Sequence, residues 1–233
     1  MTFDEIFRAF YTQFRADSDV PASTEDEYTV GMRLANEALN RWANYDGTYW
    51  RELFTTNQTD GGGDQTIITG QTDYEVSDNF KEAGGYVRLL NSDGVVQHRY
   101  PIIDPHQAQF TTTLNNYCWF SGNPYDGYTL HLSPSPPSNY SGWSIEYDYY
   151  KKPTEYATGS DVSEIPDPYF IVHRMLANQF RAARNPYYSS AKADAENALR
   201  QMQLDNNSGT WSNPWSQADT SGMRWGAELG GRW

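Results

Sequence analysis

Glu146 and Asp148 stand two residues apart in an aromatic-rich stretch, WSIEYDYY, so an extended chain carries both carboxylates on one face. Paired carboxylates beside aromatic platforms are what sugar hydrolysis uses, which makes a glycosidase or a non-catalytic sugar-binding module one reading. The other is that two carboxylates at this spacing are what any solvated strand face looks like. His98, His106, His131 and His173 are far apart in the chain and none falls at a metal-ligand spacing. His131, on the polar side of an alternating stretch, reads as a surface residue. Cys118 is the single cysteine, so no intrachain disulfide can form. It lies beside Trp119 and Phe120 in a stretch of strand character, the usual setting of a buried, inert thiol. There is no GxSxG, P-loop or dinucleotide fingerprint, and Gly61-Gly62-Gly63 precedes no helix that could hold a phosphate. The sequence thus predicts no catalytic residues, no metal and no cofactor, and a protein that is not an enzyme.

With chemistry this thin, bulk properties carry more of the argument. Of 233 residues, 38% are hydrophobic and 15% aromatic, so the core must lean on Tyr, Trp and Phe, which are also favoured interface anchors. Thirty acidic against 17 basic residues give a net charge of −13, the wrong sign for gripping nucleic acid phosphates. The same sign suits either plain solubility or a conduit that must not stick to DNA passing through it. The N-terminus lacks the basic and apolar regions of a secretory signal, and no apolar run approaches the roughly 20 residues that span a bilayer. The triplets at Asn57, Asn139 and Asn206 resemble glycosylation sites by chance of composition. The expectation is a protein made and used without export or membrane contact.

The elements that would position these residues follow a helix, strand, helix order. Thr2 with Glu5 fits a capping box, and Phe3, Ile6, Phe7, Phe10 and Phe14 mark one helical face that ends near Asp17. Thr24 with Glu27 fits a second box, ahead of Gly31, Leu34, Ala35, Ala38, Leu39 and Trp42, with a stop at Asp46-Gly47. From about Trp50 to Tyr150 the pattern alternates, with turn signals at Gly61-Gly62-Gly63, Asn91-Ser92-Asp93-Gly94 and Asp126-Gly127. Tyr128, Leu130 and Leu132 point one way, as do Trp143, Ile145, Tyr147 and Tyr149 in the clearest strand, which predicts antiparallel sheet with one wet face. A short helical turn is expected within Asp104 to Phe110, and a stiff surface loop at Ser133-Pro134-Ser135-Pro136-Pro137.

Residues 165 to 204 then read as two helices broken at Asn185-Pro186. Asp167, between Pro166 and Pro168, can cap the first, whose buried face is Phe170, Ile171, Leu176, Ala177 and Phe180. The second, from about Ser189 to Leu204, carries a narrow stripe, Ala191, Ala195, Ala198, Leu199 and Met202. Such a stripe either closes an ordinary helical hairpin or serves as a subunit-packing surface. Beyond Asp205 the chain has almost no aliphatic residues yet holds Trp211, Trp215, Trp225 and Trp233, half of its eight tryptophans. A segment of that kind cannot bury enough of its own surface to fold alone, so it predicts an extended arm docking on a partner, or folding back on its own domain.

The predicted fold class is α+β: a bundle of N- and C-terminal helices with an inserted antiparallel β module and an extended C-terminal arm. The expected divisions are residues 1–48, 49–160, 161–205 and 206–233.

The order LANEALNRWA, QTDYEVSDNF, SGNPYDGYTLHLSPSPP, WSIEYDYYKKPTEY and IPDPYFIVHRMLANQFRAARN, over roughly residues 3 to 205, resembles the head-to-tail adaptor, or connector, proteins of tailed bacteriophages, including the tail tubular A type. That resemblance implies a structural virion protein of the neck, assembled in the host cytoplasm. It implies a ring of itself, about twelve copies, beneath the portal protein and above a tail or nozzle protein, with DNA passing through unbound. It also implies a portal-binding arm; the expected anchors are Trp211, Trp215, Trp225 and Trp233, with Arg224 and Arg232 pairing with acidic groups. The alternative to set against it is an aromatic-rich carbohydrate-binding module or a glycosidase-like tail protein.

Overall fold

The computed structural model describes residues 1–15, 20–59, 65–108 and 116–208. In chain order the helices α1 (Phe3–Arg15) and α2 (Asp26–Ala43) precede strands β1 (Phe54–Thr56), β2 (Gln65–Thr66), β3 (Asp73–Glu75), β4 (Phe80–Leu90) and β5 (Val96–Pro101). A single helical turn, α3 (Pro105–Ala108), leads to β6 (Tyr117–Asn123), β7 (Gly127–Ser133) and β8 (Ser144–Lys151), and helices α4 (Tyr169–Ala182) and α5 (Tyr188–Ser208) follow. The protein is α+β, with antiparallel sheets between helices. Two compact units result: residues 1–53 with 152–208, and residues 54–151.

The helical unit closes around α4, which packs on α1, α2 and α5. The capping box at α1 forms: the Thr2 N–H donates to Glu5 Oε2 at 2.9 Å and the Glu5 N–H donates to Thr2 Oγ1 at 3.3 Å. The box expected at Thr24 does not. Glu25 is the N-cap residue of α2 and makes no side-chain cap bond. Glu27 is drawn away instead, accepting from Arg15 at 2.9 Å and from the Tyr11 hydroxyl at 3.0 Å. These tertiary partners supply what the local box would have. At α4, Asp167 accepts from the Tyr169 N–H at 3.0 Å, as its position between two prolines predicts.

The core of this unit joins the expected apolar faces to residues from outside the α-helices, notably Trp50, Leu53, Tyr156 and Ile165. Trp50 packs at a tilt against Trp42, with ring centroids 5.3 Å apart, and its indole N–H donates to the Trp42 carbonyl at 2.7 Å. Gly31 is where α1 meets α2: a Cβ there would run into the ring of Phe7. The last helix continues past Leu204 to Ser208, because Asn206 has tertiary partners. It is buried, accepts from the Arg51 N–H at 3.2 Å and donates to the Tyr49 carbonyl at 3.0 Å.

The β unit holds two sheets over one core. One runs β1-β8-β4-β5, with β2 also paired to β8; the other runs β3-β7-β6. Ile145, Tyr147 and Tyr149 of β8, with Phe80 of the adjacent β4, share one buried cluster with Leu130 and Leu132 of β7 and Cys118 of β6 from the other sheet, which is the alternation read from the sequence. Asn57 lies wholly buried and extends the β8 ladder by its side chain, donating to the Ile145 carbonyl at 2.9 Å and accepting from the Tyr147 N–H at 3.0 Å. Asn57 and Asn206 are thus structural amides. The turn at 91–94 carries Asn91 Oδ1 accepting from the Asp93 and Val95 N–H groups, and the turn at 126–127 joins β6 to β7. The expected turn at Gly61-Gly62-Gly63 falls on residues outside those described.

Candidate functional site

The carboxylates that could have served hydrolysis share one cation. Arg88 on β4 lies directly opposite Glu146 on β8, and its Nη2 is 2.7 Å from Glu146 Oε1 and 2.5 Å from Asp148 Oδ1. The sheet pleat places the three heads together, so both acids face one guanidinium rather than opposite sides of a scissile bond. This is a half-buried ion cluster clamping β4 to β8.

Cys118 is fully buried, and burial pushes its thiol up to about 12. Its Sγ lies 3.5 Å from the carbonyl oxygens of Tyr100 and Pro101. It is a core group in a setting that disfavours the thiolate a nucleophile needs. Among the described residues no three His, Cys, Asp or Glu side chains could together hold a metal ion. His98 packs at a tilt against Tyr140, centroids 4.6 Å apart, and lies parallel to Trp143 at 6.1 Å.

One constellation was missed by the sequence reading. Asp73 on β3, His131 on β7 and Trp119 on β6 form a single rung across the smaller sheet. His131 Nδ1 is 2.7 Å from Asp73 Oδ1, its Nε2 is 2.6 Å from Ser121 Oγ, and its ring lies over Trp119 at 4.9 Å. The order alcohol, imidazole, carboxylate is that of serine hydrolases. Here Ser121 stands in a regular strand with its backbone paired to Thr129, and Asp73 is 61% exposed, so water competes at the acid end of the relay. Such an arrangement ties three strands together and orients His131. Acyl transfer would further require N–H donors aimed at an oxyanion. Sequence could place His131 on the wet face, but only the register brings residues 58 apart in the chain into line. Tyr117 also stacks on Trp119, so the ring faces a sugar would need are turned to one another.

The small-residue stripe is occupied from within. Ala191, Ala195, Leu199 and Met202 are buried in the core of their own helical unit, and Ala198 packs at its edge. The closest helical neighbour of α5 is α4 of the same chain. Of the two readings of that stripe, the geometry accounts for it as the inner face of a helical hairpin. The arm residues Trp211, Trp215, Arg224, Trp225, Arg232 and Trp233 lie outside the described residues.

The sequence model of a family described as SU10 adaptor protein matches residues 1–218. The chain belongs to that family. Its members are structural adaptor proteins of bacteriophages and not a family of enzymes, so the chain is a structural phage adaptor. No curated protein matches the chain. Among the described residues no helix is long and apolar enough to cross a membrane.

Proposed function

We propose that this SU10-family adaptor works as a head-to-tail connector of the tail tubular A kind: a closed ring, about twelve copies, seated between the portal and the tail and framing part of the DNA path. The observation that carries the reading is family membership over residues 1–218 together with a segment, 206–233, whose composition is poor in aliphatics and rich in tryptophan. Interface anchors of that type suit a docking arm, with Trp211, Trp215, Trp225 and Trp233 entering portal pockets and Arg224 and Arg232 meeting acidic groups. A net charge of −13 supports a conduit that DNA crosses without adhering. Since Ala191, Ala195, Leu199 and Met202 pack inside their own unit, contacts between copies fall to outward helix faces, with Ala198 at the margin. Assembly takes place in the host cytoplasm and the finished ring resides in the virion neck.

Negative-stain images of the purified protein with and without a candidate portal test this. Rings capping the portal are expected. Portal particles that stay bare at saturating protein would contradict it.

A further inference from the structure

The helical unit carries opposite charge at the two ends of α2. At the start of the helix Glu25 and Asp26 stand exposed, and the Tyr28 hydroxyl donates to Asp4 Oδ1 of α1 at 2.5 Å. The Phe3 N–H donates to the Asp161 carbonyl at 2.9 Å and the Asp4 N–H to the Gly159 carbonyl at 3.0 Å, which brings the 159–161 turn to the same place. The charges of Asp4 and Asp161 both act on the Tyr28 phenol. In its last turn α2 carries Arg41. Helix α4, which packs on α2, carries Arg174 and Arg181 two turns apart on one face, and Arg174 sits in the field of both Arg41 and Arg181. The stretch of α2 from Tyr28 to Arg41 is about 20 Å long at the rise of an α-helix.

The cations of this patch are not neutralised within the chain. Among the described residues the arginine ion pairs fall at Arg15, Arg33, Arg51 and Arg88, not at Arg41, Arg174 or Arg181. Glu196, whose charge reaches Arg174, is paired with Lys192 at 3.6 Å, and Glu155 accepts from the Asn40 amide at 2.9 Å. Helix dipoles account for Arg41 and Arg181, each in a last turn. They do not account for Arg174, half-buried in mid-helix, where a guanidinium without a counter-charge costs free energy that a carboxylate from outside would recover.

We propose that these two ends are the two halves of the contact between neighbouring copies: Arg41, Arg174 and Arg181 of one chain receive Asp4, Glu25 and Asp26 of the next. This rests on the connector reading above and names the outward faces at which its copies meet. A ring needs a heterologous contact, with two unlike and complementary surfaces on each copy, because a patch that matches itself closes at two. Opposite charges at the two ends of one helix supply such surfaces. In a protein of net charge −13 the cationic patch is the scarce half, and a second copy always brings the acidic one.

The test uses the portal as template. Purified portal is mixed with the full-length chain, and native mass spectrometry counts the copies bound; melting curves check that each variant is folded. Arg41→Glu with Arg181→Glu makes the basic end acidic, and Glu25→Arg with Asp26→Arg sets cations at the acidic end. Either variant alone should give about tenfold fewer complete rings than wild type, since like charges then meet at every contact. An equal mixture should restore complete rings holding the two chains in equal number, because the altered end of each faces the altered end of the other. A lesion in portal binding is not rescued in this way. Complete rings from either folded variant alone overturn the proposal, as does a mixture of two folded variants that stays incomplete. Should a charge-reversed chain not fold, Arg41→Gln with Arg181→Gln replaces it; this neutral pair should lower the copy number, and complete rings from it overturn the proposal. If wild type itself forms no ring on the portal, the connector reading falls first and takes this one with it.

Discussion

The side-chain amide of Asn36 holds both backbone groups of Tyr156: Nδ2 donates to the Tyr156 carbonyl at 3.0 Å, and Oδ1 accepts from the Tyr156 N–H at 2.8 Å. An asparagine in the middle of α2 thereby acts as a strand of one residue, pinning the segment that enters α4 from 120 positions away. Asn57 does the same for β8 and Asn206 for residues 49–51. Removing one amide leaves a donor and an acceptor without their partner. Asn36→Ala should cost about 1–3 kcal/mol, and Asn36→Asp, whose second oxygen would face the Tyr156 carbonyl that Nδ2 now donates to, should recover none of it. Urea midpoints of the three proteins decide this.

Asn206 also fixes where the chain can be cut. A protein ending at Ser208 keeps its bonds to Arg51 and Tyr49, whereas one ending at Asp205 loses them. The first should melt as the full chain does. The second should melt several degrees lower, at about 2–4 °C per kcal/mol for a domain of this size. Equal melting of the two truncations would show that the Asn206 bonds contribute nothing.

Stability should fall at alkaline pH. Burial raises the Cys118 thiol from 9.0 to about 12, and burial, then the hydrogen bond and charge of Asp4, raises the Tyr28 phenol from 10.0 to about 12. Burial likewise raises Tyr100 and Tyr147. The unfolded chain ionises first at each of these groups, so their contribution is whole below pH of about 9 and is lost as the pH rises, for Cys118 and Tyr28 as it climbs toward about 12. Asp161 acts at the other end: the Ala157 and Thr158 N–H groups lower it below 3.8, so its contribution is present above that value and lost on acidification. Denaturation midpoints across pH, read beside tyrosinate absorbance, should show unfolding and phenol ionisation rising together at high pH. Phenols titrating normally in a folded protein would contradict the burial account.

A fluorophosphonate probe should leave Ser121 unlabelled at neutral pH, because hydrogen bonding to His131 alone does not supply an oxyanion site. Labelling abolished by both Ser121→Ala and His131→Ala would show instead that the Asp73–His131–Ser121 relay is chemically active.

Much of the fold was written in periodicity. The Phe3, Ile6, Phe7, Phe10 face, the alternation of β7 and β8, the buried Cys118 and the capping box at Thr2 could be read because each is a short-range pattern. What escaped depends on partners remote in sequence. Thr24 and Glu27 have the spacing of a box, but Arg15 and Tyr11 claim Glu27. Trp50 and Leu53 join the helical core from the start of the stretch read as alternating, and Tyr156 joins it from a segment with no helical period. The polar run Asp205-Asn206-Asn207-Ser208 looks like a helix stop, yet α5 continues through it because Asn206 has partners in residues 49–51. The alanine stripe of α5 shows the limit most plainly: spacing says that something must pack there, and only the fold says that α4 of the same chain does. The relay at His131 was hidden for the same reason, since three strands must be in register before it exists.

Native mass spectrometry of the portal bound to this protein tests the central claim most directly. The connector account predicts one dominant mass in which many copies of the chain, about twelve, sit on each portal ring. A complex with a single copy bound, or a spread of copy numbers with no closed ring, would contradict it.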